Sequence, residues 1–196
     1  RAMKVREISE KFYLVNNSKK TELLCHFIKE EDWYQALIFV RTKYGADNLV
    51  RRIRRSGLEA VALHGNKSQS QRRKAIEDFR RNKVHLLVAT DIAARGIDVE
   101  SLSHVVNYNL PAVPEDYVHR VGRTGRAGNK GVAISLVSAE EKKLLADIEK
   151  FVGFKTTYCE LPLSHSEASI SKTVGQKSKE KNVPKSSLRK RSAKRK

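Results

Sequence analysis

The sequence predicts an α/β domain with a mainly parallel sheet between two layers of helices. Short apolar runs typical of buried strands alternate along the chain with longer stretches whose apolar residues recur at helical spacing. Several of these stretches begin at a capping side chain or end at a glycine. Strands that alternate with helices favour parallel pairing through right-handed crossovers, because each helix carries the chain back across the sheet.

The first half of the chain contains three predicted strands and three predicted helices. Ser18 and Thr42 are expected to cap the first two helices, and Gly57 is expected to end the second in a left-handed conformation. Ser68 and Gln71 fit a capping box that begins the third. The predicted order is strand 8–15, helix 18–30, strand 36–40, helix 42–55, strand 60–63 and a helix whose apolar residues are Ala75, Ile76 and Phe79.

The second half continues the alternation. Pro111 and Pro114 bracket a turn before a short helix, and the run from Ser138 to Glu141 is expected to cap the last one. The predicted elements are strands 86–89, 105–108 and 132–137 and helices 115–121 and 139–151.

The charge of the chain predicts a polyanionic partner. The 196 residues carry a net charge of +18, and the segment Pro162–Lys196 contributes 11 lysines and arginines against two acidic residues, which is half of the total. This segment contains no Phe, Tyr or Trp and is expected to be disordered in isolation. We therefore divide the chain into an extension (1–9), a folded domain (10–161) and a basic tail (162–196).

The two cysteines, Cys25 and Cys159, form no disulfide framework and no zinc-binding pattern. Cys25 lies among apolar residues and is expected to be a small core residue. The sequence has no signal peptide and no apolar run long enough to cross a bilayer. These features favour a cytoplasmic protein, with a nuclear or nucleolar location left open for a eukaryotic source.

Two polar motifs follow predicted strands in the second half of the chain. The run His119–Gly128 (HRVGRTGRAG) holds three arginines and three glycines, and arginine forks match phosphate oxygens while glycine allows close backbone approach. The run Val88–Val99 (VATDIAARGIDV) places polar residues directly after a strand, where open α/β sheets bind ligands. Together they predict a polyphosphate site. A solvated basic turn and isolated capping acids are the alternatives.

Four motifs in order resemble the second RecA-like domain of DEAD-box RNA helicases, a branch of helicase superfamily 2. The resemblance covers about residues 10–161. Asn66 is a departure, since the family usually has Asp after His-Gly, whereas His119 favours the DEAD-box branch over relatives that have Gln there. The motifs are IV (36–43, ALIFVRTK), IVa (64–73, HGNKSQSQRR), V (90–98, TDIAARGID) and VI (119–126, HRVGRTGR).

The resemblance implies a RecA-like three-layer fold and half of an ATP-dependent RNA helicase. The chain holds no G-x-x-x-x-G-K-[ST] loop and no Asp-Glu-Ala-Asp run. In the family these parts, with ATP and Mg²⁺, lie on a preceding N-terminal RecA-like domain. This chain is then expected to close on that domain, complete its ATP site and clamp single-stranded RNA, and to be inactive alone.

The resemblance also assigns roles to single residues. Arg123 and Arg126 are the candidate arginine fingers, with pairing to an acid such as Asp91 as the alternative. Asp98 is expected to accept from the ribose, and Gly96 to allow close backbone approach.

His119 and Arg120 are expected to couple the two domains, with a satisfied structural histidine as the alternative for His119. Asp91 and Arg95 are predicted to pair with each other and to shape their loop.

Gly65, Arg72 and Thr90 are the candidate RNA-backbone contacts, since a bare N–H, a guanidinium and a hydroxyl bind phosphate without reading sequence. The four arginines in 51–55 are expected to form a solvated helix face. The end of the tail (185–196) fits either an RNA-binding segment or a nuclear-localisation signal. A freestanding RNA-binding or regulatory module is the alternative function, and a DNA-translocating relative is disfavoured by His119.

Overall fold

The six strands form one all-parallel sheet in the order β1-β6-β5-β2-β4-β3. The computed structural model describes residues 7–99, 101–125 and 129–166. The strands are β1 (Ile8–Leu14), β2 (Ala36–Phe39), β3 (Ala60–Leu63), β4 (Leu86–Ala89), β5 (His104–Asn107) and β6 (Gly131–Val137).

Within the described residues, five α-helices connect these strands, a sixth follows β6, and three short 3₁₀ turns accompany them. The helices are α1 (Lys20–Glu30), α2 (Lys43–Arg55), α3 (Gln69–Arg80), α4 (Asp91–Ala94), α5 (Pro114–Val121) and α6 (Lys142–Val152), and the turns are Asn17–Lys19, Ala139–Glu141 and Leu163–His165. None of the helices in the described ranges is long and apolar enough to cross a membrane.

Alternation along the strands separates the core into two sides, as the three-layer prediction requires. In β2, Ile38 packs with α1 and α2, whereas Leu37 and Phe39 pack on the opposite face against α3 and α4. Helices α5 and α6 add a third cluster on that second face, built around Tyr117 and Ile148. The α/β fold with helices on both faces of the sheet is therefore confirmed.

Local capping explains most helix boundaries. The Thr42 hydroxyl accepts from Gly45 N at 2.9 Å at the start of α2, and Gly57 follows its end with φ = +81°. Ser68 and Gln71 form the predicted capping box of α3.

Ser18 does not cap α1. Asn16 accepts from Ser18 N at 3.0 Å and starts a 3₁₀ turn instead, because an asparagine caps as well as a serine and comes first in the chain.

The division into units falls at Leu161. The unit that ends there contains the whole sheet and all six helices. Within the described residues of the second unit, 162–166, the chain forms the turn Leu163–His165.

Candidate functional site

Most of the predicted site residues lie beyond the carboxyl edge of the parallel sheet. His64 and Gly65 follow β3, Thr90 and Asp91 follow β4, and Asn109 follows β5. Because parallel strands end at the same edge, three loops that are distant in sequence meet there. The sheet therefore brings the motif V loop next to α5, which carries the start of motif VI.

The strongest contact at this edge joins Arg120 to Asp91. The guanidinium donates through Nε and Nη2 to the two carboxylate oxygens, each at 2.6 Å, in a bidentate arrangement. The predicted pair of Asp91 with Arg95 is wrong. The backbone keeps the helical i,i+4 geometry, since Arg95 N donates to Asp91 O at 3.0 Å. The side chains do not pair, because Arg120 binds both carboxylate oxygens of Asp91.

Arg120 is an internal part of the domain, with only 2% of its surface exposed. Its Nη1 donates to Asn107 Oδ1 at 3.1 Å and to Asn109 O at 2.7 Å, and its guanidinium lies 4.9 Å from the Phe39 ring centre. The charge is thus fully partnered by Asp91, two β5-end groups and an aromatic face. Coupling to a second domain stays a prediction for this residue.

Arg95 pairs with Asp116 of α5 instead, at 2.9 Å. His119 lies one turn further along the same helix, with Nδ1 3.9 Å from the Asp116 carboxylate. Its side chain is 74% exposed, so His119 is not part of the core, and both the coupling role and a structural contact with Asp116 stay predictions. An exposed imidazole at this edge is available to a partner surface, as the coupling prediction requires.

Arg123 contacts the loop that follows α4. Its Nη1 donates to Ile97 O at 2.7 Å and its Nη2 reaches Ala94 O at 3.3 Å. Gly96 lies between these carbonyls with φ = +77°, a conformation that favours glycine. The alternative in which Arg123 pairs with Asp91 does not occur, because Arg120 occupies that acid. Arg126 lies outside the described residues.

The Asp98 carboxylate points into solvent, with 89% of its side chain exposed. The Asp98 backbone carbonyl is held by Arg80, whose Nε and Nη2 donate to it at 3.1 and 2.6 Å. The contact between the Arg80 and Asp98 side chains is longer, with 3.7 Å between Arg80 Nη2 and Asp98 Oδ2. The loop is therefore anchored through its backbone while the carboxylate can accept a hydrogen bond from a ligand.

Packing within the domain explains why position 125 is a glycine. Its φ is +67°, and a Cβ placed there would lie 2.5 Å from Ile8 Cγ1. The glycine is thus required by packing against β1, and phosphate approach is not needed to explain it.

Two of the three candidate RNA contacts, Gly65 and Thr90, follow the ends of β3 and β4, and the third, Arg72, lies in the first turn of α3. Gly65 is exposed in the turn after β3, and Thr90 N donates to Leu63 O at 3.3 Å, which joins the two strand ends. Arg72 is half-buried on α3, and within the described part of the chain its guanidinium has no ion-pair partner. The Thr90 hydroxyl makes no capping bond to α4. A free guanidinium and a free hydroxyl suit an anionic ligand.

Sequence reasoning missed a group that shapes the turn at Gly65. Buried His64 is hydrogen-bonded through Nε2 to Asp47 of α2 at 2.9 Å, and Asn66 N donates to its Nδ1 at 3.2 Å. Lys67 also pairs with Asp47, at 3.0 Å. Although burial acts to raise the pKa of Asp47, the hydrogen bonds from His64 and Lys67 outweigh it and lower that pKa. No local pattern marks this pair, since Asp47 lies on a separate helix.

A second missed group is the buried ion pair of Lys20 with Glu141. Lys20 Nζ donates to Glu141 Oε1 and, at 2.8 Å, to Tyr108 O. Glu141 Oε2 accepts from Leu110 N at 2.7 Å. Burial lowers the pKa of the Lys20 ammonium, and its hydrogen bond to the Glu141 carboxylate opposes that shift. This pair fastens α1 to the loops after β5 and β6, next to the candidate site.

Metal ligands are not gathered anywhere in the part of the chain that the structure describes. Among residues 7–99, 101–125 and 129–166, no three His, Cys, Asp or Glu side chains form a group that could hold an ion.

Known proteins match both the sequence and the fold. The model of the helicase conserved C-terminal domain matches residues 19–128. The chain is 40% identical over 158 residues to ATP-dependent RNA helicase RhlB of Pseudomonas syringae. This match covers 81% of this chain and 40% of RhlB.

Solved structures of DEAD-box proteins match the fold of this chain. A DEAD box protein of Methanococcus jannaschii has a TM-score of 0.73 at 43% identity, over 79% of this chain and 42% of its own. Dbp5 of Saccharomyces cerevisiae, bound to RNA and ADP BeF3, has a TM-score of 0.73 at 33% identity, over 89% of this chain and 46% of its own. The chain thus spans less than half the length of these relatives.

Proposed function

The chain belongs to the DEAD-box ATP-dependent RNA helicases as their helicase C-terminal domain, and we propose that it supplies the arginine fingers and half of the RNA clamp of such an enzyme. The proposal rests on one observation above all. Arg123 of motif VI is hydrogen-bonded to the backbone of the loop that carries Gly96 and Asp98 of motif V. Arg123, Gly96 and Asp98, three of the residues assigned to the nucleotide by resemblance, thus lie next to one another.

In this proposal Asp98 binds the ribose and the arginines bind the polyphosphate of ATP held by an N-terminal RecA-like domain. The exposed carboxylate of Asp98 fits a hydroxyl donor. Arg123 exchanges its contacts with the Ala94 and Ile97 carbonyls for phosphate oxygens when the domains close, since a charged acceptor binds a guanidinium more strongly than a neutral one. Arg126 completes the pair. Mg²⁺ is held by the other domain.

The RNA side of the proposal uses Gly65, Arg72 and Thr90. Gly65 and Thr90 follow the ends of β3 and β4, at the same edge of the sheet as the proposed nucleotide surface, and Arg72 lies in the first turn of α3. ATP and RNA then draw the domains together, with exposed His119 at the contact between them. The similarity to yeast Dbp5, whose structure is bound to RNA and ADP BeF3, supports binding of both ligands. Hydrolysis releases the clamp, in a cytoplasmic enzyme that separates short duplexes.

The test is Arg126→Ala in the full-length protein that carries this chain. We expect the kcat for RNA-stimulated ATP hydrolysis to fall by about 10³-fold or more, because an arginine finger stabilises charge that develops on the transferred phosphoryl group. RNA binding should stay within about twofold of the parent. Arg55→Ala, which removes an exposed arginine from α2, is the matched control. A variant at Arg126 that keeps most of its kcat would contradict the finger assignment.

A further inference from the structure

Strand β3 has an open edge. It pairs with β4 on one side and, in the order of the sheet, with no strand on the other. Leu63 O accepts from Thr90 N on the β4 side, whereas Ala60 O accepts from Arg54 Nε at 3.0 Å on the opposite side. Because successive residues of a strand direct their backbone groups to opposite sides, the N–H and C=O of Ala62 face the open edge together with those of Ala60.

A cleft of about 620 Å³ runs along this edge, with α2 on one side and α3 on the other. Its floor is apolar and consists of Val50, Val61, Ala62 and Ala75. Small side chains on the floor leave room for the residues of an added strand, and the backbone of Ala62 lies among them. The geometry is that of strand addition, in which backbone hydrogen bonds give affinity and alternate pockets give selectivity.

The walls of the cleft carry uncompensated positive charge. Asp47 is paired with Lys67 at 3.0 Å and Asp78 with Lys74 at 2.9 Å, so both acids of the lining are already neutralised. Arg51 has no ion-pair partner among the described residues. Arg54 uses its Nε on Ala60 O, and its charge is likewise unpaired within the described chain. An anionic occupant is therefore favoured over a neutral or cationic one.

We propose that this cleft binds an extended acidic peptide of a partner protein, which adds as an edge strand beside β3. Small apolar side chains at alternate positions would face the floor, and carboxylates would face Arg51 and Arg54. The four residues of β3 set the length of pairing at about 13 Å, or roughly four to five peptide residues.

A peptide fits these features better than single-stranded RNA does. RNA has no backbone N–H and C=O pair to match those of Ala62, and it prefers successive aromatic platforms. The lining offers one aromatic side chain, Tyr44, at its end. The tail of this chain has a net charge of +9 and is therefore a poor occupant.

The proposal is tested with a displayed library of short random peptides selected on the whole chain. We expect enriched sequences to be rich in Asp and Glu, with apolar residues at alternate positions. A fluorescent copy of an enriched peptide then gives the Kd by anisotropy. Arg51→Glu should weaken binding about tenfold or more, while Arg55→Glu, an equal charge reversal on an exposed residue of the same helix outside the lining, should change the Kd less than twofold.

Backbone pairing is tested separately from charge. Hydrogen exchange followed by NMR should show slower exchange of the Ala62 amide in the complex, and a peptide with alternate backbone amides methylated should lose binding. Absence of enrichment, equal effects of the two arginine substitutions, or an unprotected Ala62 amide would each overturn the proposal. The proposal would also be overturned if single-stranded RNA displaced the peptide and Arg51→Glu weakened the binding of that RNA. The cleft would then be assigned to RNA.

Discussion

Arg120 and Asp91 are joined by two parallel hydrogen bonds of 2.6 Å that connect α5 to the first residue of α4. The pair fixes the distance between the loop that holds Asp98 and the segment that holds Arg123. Neither Asp91 nor Arg120 needs to contact a ligand for this purpose. The pair has a positioning role, since it sets where the two segments that we propose to bind the nucleotide lie relative to each other.

We predict that Arg120→Leu destabilises the domain by about 3–5 kcal/mol, because it leaves Asp91 and the acceptors on Asn107 and Asn109 without their donor. The free energy of unfolding in urea measures this. Arg95→Leu is the control, since the Arg95–Asp116 pair leaves Arg95 64% exposed and should cost about 0–1 kcal/mol. Equal losses in the two variants would show that Arg120 is no more than a surface charge.

The starts of α2 and α3 were predictable from local signals, whereas the local signal at Ser18 gave the wrong start for α1. The Thr42 cap of α2 and the Ser68–Gln71 capping box of α3 each depend on residues within three positions of one another. The partner of Asp91 was not predictable in the same way. Arg95 has the spacing of a helical partner and its N–H does donate to Asp91 O, but the Asp91 carboxylate is bound by Arg120, which is distant in sequence.

The other contacts that could not be predicted join residues that are distant in sequence. Lys20 and Glu141 are 121 positions apart, and their contact requires α1 and the loop after β6 to be placed by the sheet. A lysine in the first turn of a helix is usually solvated, and Lys20 is instead fully buried. The motifs themselves could be recognised in the sequence, but the internal pairs that hold them in place could not be predicted.

We predict that Asp47 makes stability depend on acid pH. Its pKa is lowered in the folded state, so the unfolded chain binds more protons there and stability is lost as pH falls from the unfolded pKa of about 3.9 through the folded one. Asp47→Asn should flatten the fall in Tm over that interval. Asp147→Asn, at an exposed acid with no ion-pair partner among the described residues, is the control and should leave the pH profile unchanged. An unaltered profile in Asp47→Asn would mean that the His64 and Lys67 contacts do not persist in solution.

We predict that the purified 196-residue chain alone hydrolyses no ATP, with or without RNA. The sequence contains no phosphate-cradling loop of the G-x-x-x-x-G-K-[ST] type, so nothing positions the nucleotide for attack. Phosphate release should equal that of a mock purification from cells without the gene. RNA-stimulated turnover above this background, removed by Arg126→Ala, would show that the domain holds a complete site of its own.

The last prediction concerns the basic tail, whose RNA affinity should be independent of sequence. Truncation after Leu163 removes 11 basic residues and no Phe, Tyr or Trp, so it removes charge without any platform for base stacking. Binding to two unrelated RNAs should weaken by about the same factor. Some binding should survive, because the folded domain keeps its own basic residues.

Salt dependence separates a direct role of the tail in RNA binding from an indirect one. Each phosphate that the tail neutralises on a single strand contributes a slope of about −0.7 in log K against log salt, so truncation should make the slope shallower by about that amount per lost contact. The measurement is a titration of intact and truncated chain at several salt concentrations. An unchanged slope would mean that the tail does not contact RNA, and a protein partner or a localisation signal would then explain its charge better.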